Sequence, residues 1–409
     1  MKYDPELERD MNAVEQYCKT AAQDCLREAG GKLAHPFLVP GAHYAQELWD
    51  WDSWLSSIPV ADLVQKDVTP YERGCVLNFL DAEDKDGRIP VVISNQTDRF
   101  DLKPGVLTNV HKPCLAAMAY NVTMREGGDA SWLKDGFPKL EAYLAYYQKN
   151  LYHEESGLYV FYDDFAIGVD NDPCTFYRPH KSTGSIFLNS LMIHELDSMA
   201  KLCGLLGKKD REDYYNGLKD HLIQSVQREC YDERNGFYYS ADVNLRPVDP
   251  HEWLHCGAPR NYASLPMRID VWTGILPLWL KIATPEQAKR VLEENALNPA
   301  TLYCPYGIRS LSKLEKMYRL RTGGNPSPWT GNIWINANYF LYLAEKNYGY
   351  AKEAKELAIA TIKMLGEDIL QNGAMHEFYH PDTGAGCYNL GFQSWNMLAY
   401  YMVQDLKKE

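Results

Sequence analysis

The chain of 409 residues exceeds an ordinary single domain in length and carries 42 basic against 55 acidic side chains, a net charge of −13. No Lys/Arg run could track a phosphate backbone, which argues against nucleic acid as a partner, and no stretch approaches the roughly 20 apolar residues of a membrane span. Ten cysteines are scattered with no CxxC pair, as reduced buried thiols are, and the first thirty residues show no apolar leader core, so a cytoplasmic location is expected.

Apolar residues recur at i, i+3, i+4 and i+7 over 6–29, 135–152, 185–206, 212–230, 285–295, 337–348 and 350–370, and this period predicts helices. Strand patterns are few and short, at 89–94 and 237–240. The expected class is all-α with decorated loops. A weak repeat of aromatic, polar turn and glycine ends at Gly157, Gly236 and Gly384, with spacings of 79 and 148 residues. Returning helix pairs at such an interval suggest stacked helical hairpins; chance similarity among turns is the alternative. At roughly 34 residues per helix and connection there is room for about twelve helices. No linker or charge block divides the chain, so 1–409 is expected to form a single domain.

In chain order, the first candidate site follows Pro40-Gly41-Ala42-His43-Tyr44 and reads Trp49-Asp50-Trp51-Asp52-Ser53-Trp54. Aspartate can accept hydrogen bonds from two sugar hydroxyls, and tryptophan offers an apolar wall to a ring's C–H face. Equally, Asp52 could cap a helix starting at Ser53 while the tryptophans pack in the core.

The next candidate, Gly168-Val169-Asp170-Asn171-Asp172-Pro173, places acids in a turn. Arg178, His180 and Lys181 follow as a basic cluster that could pair with Asp172 and leave Asp170 to hold a proton. Further on come Gly307-Ile308-Arg309-Ser310 and Asn325-Pro326-Ser327-Pro328-Trp329-Thr330-Gly331-Asn332-Ile333-Trp334, aromatic loops that read as rim for one cavity. The last is His376-Glu377-Phe378-Tyr379-His380-Pro381-Asp382-Thr383-Gly384. Two acids from distant parts of one chain suit sugar-bond hydrolysis, in which one protonates a leaving oxygen and the other activates water. His251, His255, His376 and His380 lack the spacing of a metal site and HExxH is absent, so no metal is expected. P-loop, GxGxxG and GxSxG motifs are also absent, and no cofactor is implied.

Taken in order, these stretches resemble the inverting α-glycosidases of the trehalase and processing-α-glucosidase clan (glycoside hydrolase families 37 and 63), which includes bacterial glucosylglycerate and mannosylglycerate hydrolases. Pro40-Gly41 with Trp51-Asp52-Ser53-Trp54 is similar to the clan's early signature, and Gly168-Val169-Asp170-Asn171 to its central acid motif. Phe187-Leu188-Asn189-Ser190-Leu191 resembles the helix that follows. Gly307-Ile308-Arg309-Ser310 and Trp329-Thr330-Gly331-Asn332-Ile333-Trp334 match two loops. Glu377, Tyr379, Pro381, Thr383, Gly384, Gly386, Phe392 and Trp395 match the final motif.

The resemblance implies an (α/α)6 toroid acting on a small carbohydrate, with Asp170 as general acid and Glu377 as general base, their carboxyls roughly 6.5–9.5 Å apart. By the same carry-over Trp51, Asp52, Trp54, Trp329 and Trp334 would form the −1 sugar pocket, joined by Tyr44, His111, Asn171 and Trp395. There are departures. Asp172-Pro173-Cys174 replaces the usual Pro-Arg, His111-Lys112-Pro113-Cys114 stands for Gln-Pro-Pro, and Gly41-Ala42-His43-Tyr44 for Gly-Gly-Arg-Phe. Loss of that arginine clamp weighs against trehalose. A small α-glucoside or α-mannoside is the expected substrate, with Arg178, Lys112 or Arg309 available for an acidic aglycone. Two other readings stay open. One is an N-acylglucosamine 2-epimerase-like toroid, which would need a catalytic histidine pair. The other is a sugar-binding protein without chemistry.

Overall fold

In the computed structural model, residues 3–245 and 262–408 are described. Helices dominate, and the strands are two or three residues long, set in pairs except for one three-stranded sheet of Thr183–Gly184, Ala241–Asp242 and Leu265–Pro266. Helix α1 (Pro5–Asp24) begins where Asp4 accepts the Leu7 N–H at 2.9 Å and Pro5 takes the first turn, which needs no donor. It is followed by α2 (Asp50–Leu63), α3 (Thr69–Asp81), α4 (Leu115–Arg125), α5 (Phe137–Asn150), α6 (Ile186–Leu205) and α7 (Lys209–Glu229). Then come the short α8 (Leu276–Trp279) and α9 (Pro285–Arg290), α10 (Ile335–Asn347), α11 (Ala351–Asn372) and α12 (Ala399–Lys408). Helix α9 continues into a wider turn over Val291–Ala296, which accounts for the longer helix predicted there.

Burial sorts these helices into two layers. In α7 only Tyr215, Leu222, Ser225 and Val226 are buried, the stripe expected of a helix with one face in water. In α2, α6 and α10 buried residues run all the way round. The inner contacts form a closed order: α2 packs on α4, α4 on α6, α6 on α8, α8 on α10, α10 on the turn Ser394–Leu398, and that turn on α2. Outside it, α7 packs on α6, α3 on α4, and α11 on α10; α1 lies against α11 and α12, so both ends of the chain meet.

Helices α2, α3, α4, α8 and α12 carry no predicted span. Burial on every side removes the apolar stripe from α2, and Pro59 interrupts its pattern further. The predicted strand 89–94 reduces to Val92–Ser94, paired antiparallel with Glu47–Trp49. The repeated aromatic–turn–glycine segments are small hairpins, each after a helix: Tyr152 pairs with Tyr159 after α5, Tyr231 with Tyr238 after α7, and Phe378 with Cys387 after α11.

Candidate active site

A cavity of about 1180 Å³ among the described residues is lined by five parts of the chain: the segment entering α2, the stretch between Val91 and Lys112, the loop before α6, the loop before α10, and the hairpin after α11 with the turn that follows it. Trp51 and Asp52 reach it from the first turn of α2, which starts at Asp50 and not at Ser53. Asp52 therefore does not cap the helix. It is buried and accepts a hydrogen bond from Ser394 Oγ at 2.9 Å. Burial, reinforced by the charges of Asp50 and Glu377, pushes its carboxyl up to about 8.

Asp170 sits in a loop bent by Gly168 at φ 68° and Asn171 at φ 64°. A Cβ on Gly168 would stand 3.0 Å from Lys112 Nζ and 3.3 Å from Trp51 Nε1, so close approach as well as the turn calls for glycine there. The Asp170 carboxyl is raised, chiefly by burial, with Asn325 and Lys112 acting against the shift. Asn325 Nδ2 donates to Asp170 Oδ2 at 2.9 Å and to Asn171 Oδ1 at 3.1 Å.

Glu377 precedes the strand Phe378–Tyr379, which also bridges to Ile333, and so the loop before α10 is tied directly to the second acid. Both its oxygens accept hydrogen bonds, Oε1 from Ser327 Oγ at 3.1 Å and Oε2 from Asn389 Nδ2 at 2.7 Å. Burial pushes its carboxyl up to about 7 against the pull of these donors, and the charge of Asp170 adds to the rise. One loop thus contacts both acids: Asn325 holds the first, Ser327 the second, and the Ser327 N–H donates to Asn325 Oδ1 at 3.0 Å.

The tryptophans form the wall. Trp329 stacks on Trp334 with ring centroids 4.0 Å apart and 3° between planes, and Trp51 contacts Trp395 at 4.8 Å and Trp329 at 5.7 Å. Such an arrangement offers rigid apolar faces beside a few convergent polar groups, the make-up of a small-molecule site.

A protein-family profile for the mannosylglycerate hydrolase MGH1-like glycoside hydrolase domain matches residues 44–395. The chain belongs to this glycoside hydrolase family. The matched span takes in all the lining residues of the cavity but Pro40 and His43. Mannosylglycerate hydrolase MGH1 of Selaginella moellendorffii is 22% identical over 408 residues, covering 86% of this chain and 78% of its own length. A probable mannosyl-oligosaccharide glucosidase of Schizosaccharomyces pombe is 25% identical over 250 residues, 59% of this chain and 29% of its own length. The chain spans less than half the length of several such glucosidase relatives. The solved GH63 mannosylglycerate hydrolase of Thermus thermophilus, in complex with glucose, superposes with TM-score 0.68 at 18% identity, covering 96% of this chain and 100% of that one. That likeness concerns the fold.

Within this glycoside hydrolase domain, the cavity brings together Tyr44, Trp51, Asp52, Lys112, Asp170, Asn171, Trp329, Trp334, Trp395 and Glu377. Four expected sugar contacts lie elsewhere. Trp54 points to the other side of α2, where its ring meets His194 at 5.7 Å and Trp279 at 6.3 Å. His111 is enclosed against Phe79 at 4.4 Å, and burial pushes its imidazole down to about 4. Arg178 pairs with Asp242 at 2.7 Å, and Arg309 with Asp382 at 2.8 Å. Each arginine is paired with an acid remote in sequence, a partnership that local pattern cannot reveal. Asp172 is likewise not paired with the basic cluster: its Oδ1 accepts the Cys174 N–H at 2.8 Å.

His376 faces Asp368, at 2.9 Å from Nδ1, and that carboxylate also accepts from Tyr379 Oη at 2.8 Å, so this histidine fixes the hairpin. His251 and His255 lie outside the described residues. Asn325, Ser327, Asn389 and Ser394, which hold the acids, carry no individual signal in sequence. The available hints are the turn-forming Asn325-Pro326-Ser327-Pro328 run and the polar residues set between aromatics near 389–395.

Proposed function

We propose that the chain hydrolyses a small α-glucoside or α-mannoside with inversion, using Asp170 as general acid and Glu377 as general base. The closed inner order of helices with an outer layer is read as an (α/α)6 toroid, with the whole chain as one catalytic unit and the cavity at one mouth. The observation that carries the reading is the Asn325–Ser327 loop, which hydrogen-bonds one carboxyl with each residue.

The two acids differ in a way that suits the two roles. Glu377 receives a donor on each oxygen, which favours its charged form, as a base requires. Asp170 receives its side-chain donor from Asn325 on Oδ2 only, leaving Oδ1 to carry the proton that passes to the leaving oxygen. Displacement then breaks the C–O bond at the anomeric carbon as a water attacks from the opposite face and yields its proton to Glu377. Asp52 is held neutral by burial at pH 7, so its free oxygen donates to a sugar hydroxyl while Oδ1 accepts from Ser394. The tryptophan wall covers the ring's C–H face and excludes bulk water.

No observation favours the epimerase alternative, since His43 is the histidine among the described lining residues and stands at the rim against Tyr388. The deciding experiment incubates the purified protein with α-linked disaccharides and glycosyl-glycerates and follows the released anomer by NMR. Early β-anomer, abolished in both Asp170→Asn and Glu377→Gln, is expected. Early α-anomer would refute inversion, and no release from any sugar would refute hydrolysis.

A further inference from the structure

Tyr177 is an aromatic side chain in an unusual position: it is 91% exposed yet lines the catalytic cavity, with its backbone at φ 61°. Left-handed backbone is disfavoured at a bulky residue and persists only where the surroundings over-determine it. Here they do. The Thr175 and Phe176 N–H groups both donate to Asp172 O, at 3.0 and 2.8 Å, and the Arg178 N–H donates to Thr175 O at 3.2 Å. On the far side Arg178 is pinned twice, by its ion pair to Asp242 and by Nε donating to Thr183 Oγ1 at 3.1 Å. Thr183 Oγ1 in turn donates to Cys174 O at 2.7 Å, which closes the loop on itself. The basic residue after the central acid is thus an anchor, and what the anchored loop presents is a ring.

That ring contributes almost no burial to the fold, so packing does not explain it. Phe176 supports it at 4.0 Å between centroids. The cavity at about 1180 Å³ is larger than the roughly 300–1,000 Å³ of ordinary small-ligand sites, so it has room beyond one sugar bound between the two acids. We infer that Tyr177 is a stacking platform at the cavity mouth for the second pyranose ring of an α-linked disaccharide. A pyranose presents an apolar C–H face that matches an exposed phenol ring, and its hydroxyls stay in water. The inference rests on the glycosidase reading above.

The test compares two substrates of the same sugar: the α-linked disaccharide turned over fastest and the α-glycosyl fluoride, whose leaving group has no ring to stack. In Tyr177→Ala the ratio of kcat/KM for disaccharide to that for fluoride is expected to fall about tenfold, through KM, as for loss of one aromatic contact. Tyr177→Trp should restore it. Thermal stability should hold, because the exposed ring packs on little of the fold. An unchanged ratio, or a fluoride-active protein that cleaves no disaccharide, overturns the inference while leaving the glycosidase reading intact. A protein inactive on the fluoride as well overturns both.

Discussion

Lys112 Nζ stands 2.8 Å from Asp50 Oδ1, an ion pair with side chains 3% and 0% exposed beneath the tryptophan wall. The Lys112 backbone N–H also donates to Asp50 Oδ2 at 2.9 Å, and Nζ reaches Ala166 O at 3.4 Å in the acid loop. The pair therefore ties the start of α2 to the loop that carries Asp170. Removing one partner strands the other charge away from water. Lys112→Met is expected to cost about 3–5 kcal/mol, read as a drop in the urea midpoint, and Lys112→Met with Asp50→Asn should recover part of it. A single variant as stable as the parent would show that the charge is solvated by some other route.

The pH dependence of kcat/KM separates the two acids. In the proposed roles Glu377 is ionised and Asp170 protonated, and with the Glu377 carboxyl at about 7 the limb it sets should lie near neutral pH. Asn389→Ala removes a donor to the charged form of Glu377, so that carboxyl rises further and its limb moves to higher pH. Asn325→Ala does the same to Asp170, so the limb set by Asp170 moves to higher pH and the Glu377 limb stays in place. Both limbs moving together in either variant would contradict the separate assignments.

Legibility in the sequence followed the physics of each element. Helices α1, α7 and α11 each have one face in water and so display the 3.6-residue period. The inner α2 has no such face, and its dense Trp/Asp run reads as a site motif because it is also the cavity wall. Asp170 and Glu377 are visible because glycine and proline mark their turns, and those turns aim them. Charge alone draws Arg178 and Arg309 into the expected site, whereas pairing with Asp242 and Asp382 decides where a guanidinium rests. The partners that matter most to the acids, Asn325, Ser327 and Asn389, are ordinary polar loop residues until the fold sets them beside a carboxylate.

Glu345 on α10 is buried, and neither carboxylate oxygen has a hydrogen-bond partner among the described residues. Burial, with Glu353 and Glu356 adding like charge, pushes it up to about 9. A carboxyl raised in the folded state contributes stability that is fully present below its unfolded value near 4.5 and is lost as pH rises through the folded value. Glu345→Gln removes that loss. The variant should gain a few kcal/mol over the parent at pH 9 relative to the difference at pH 5, measured by chemical denaturation at each pH. A difference independent of pH would mean that the carboxyl finds a partner or water.

Asp52 joins the same linkage to the chemistry. Its folded value of about 8 against 3.8 makes it neutral at pH 7, and a neutral carboxyl offers one acceptor and one donor, as an asparagine amide does. Ser394 Oγ already donates to Oδ1, a bond that an amide oxygen in the same place would accept equally well. Asp52→Asn is therefore expected to keep kcat/KM near pH 6.5 within about tenfold, while Asp52→Ala, which leaves Ser394 and the sugar hydroxyl unpaired, loses about a hundredfold. Stability should diverge with the opposite emphasis: Asp52→Asn gains on the parent between pH 5 and 9, because the parent alone must ionise a buried group. Steady-state kinetics and denaturation on the same two variants check both halves. If Asp52→Asn is as inactive as Asp52→Ala, the carboxylate works in its charged form and the sugar site must supply the donor from elsewhere.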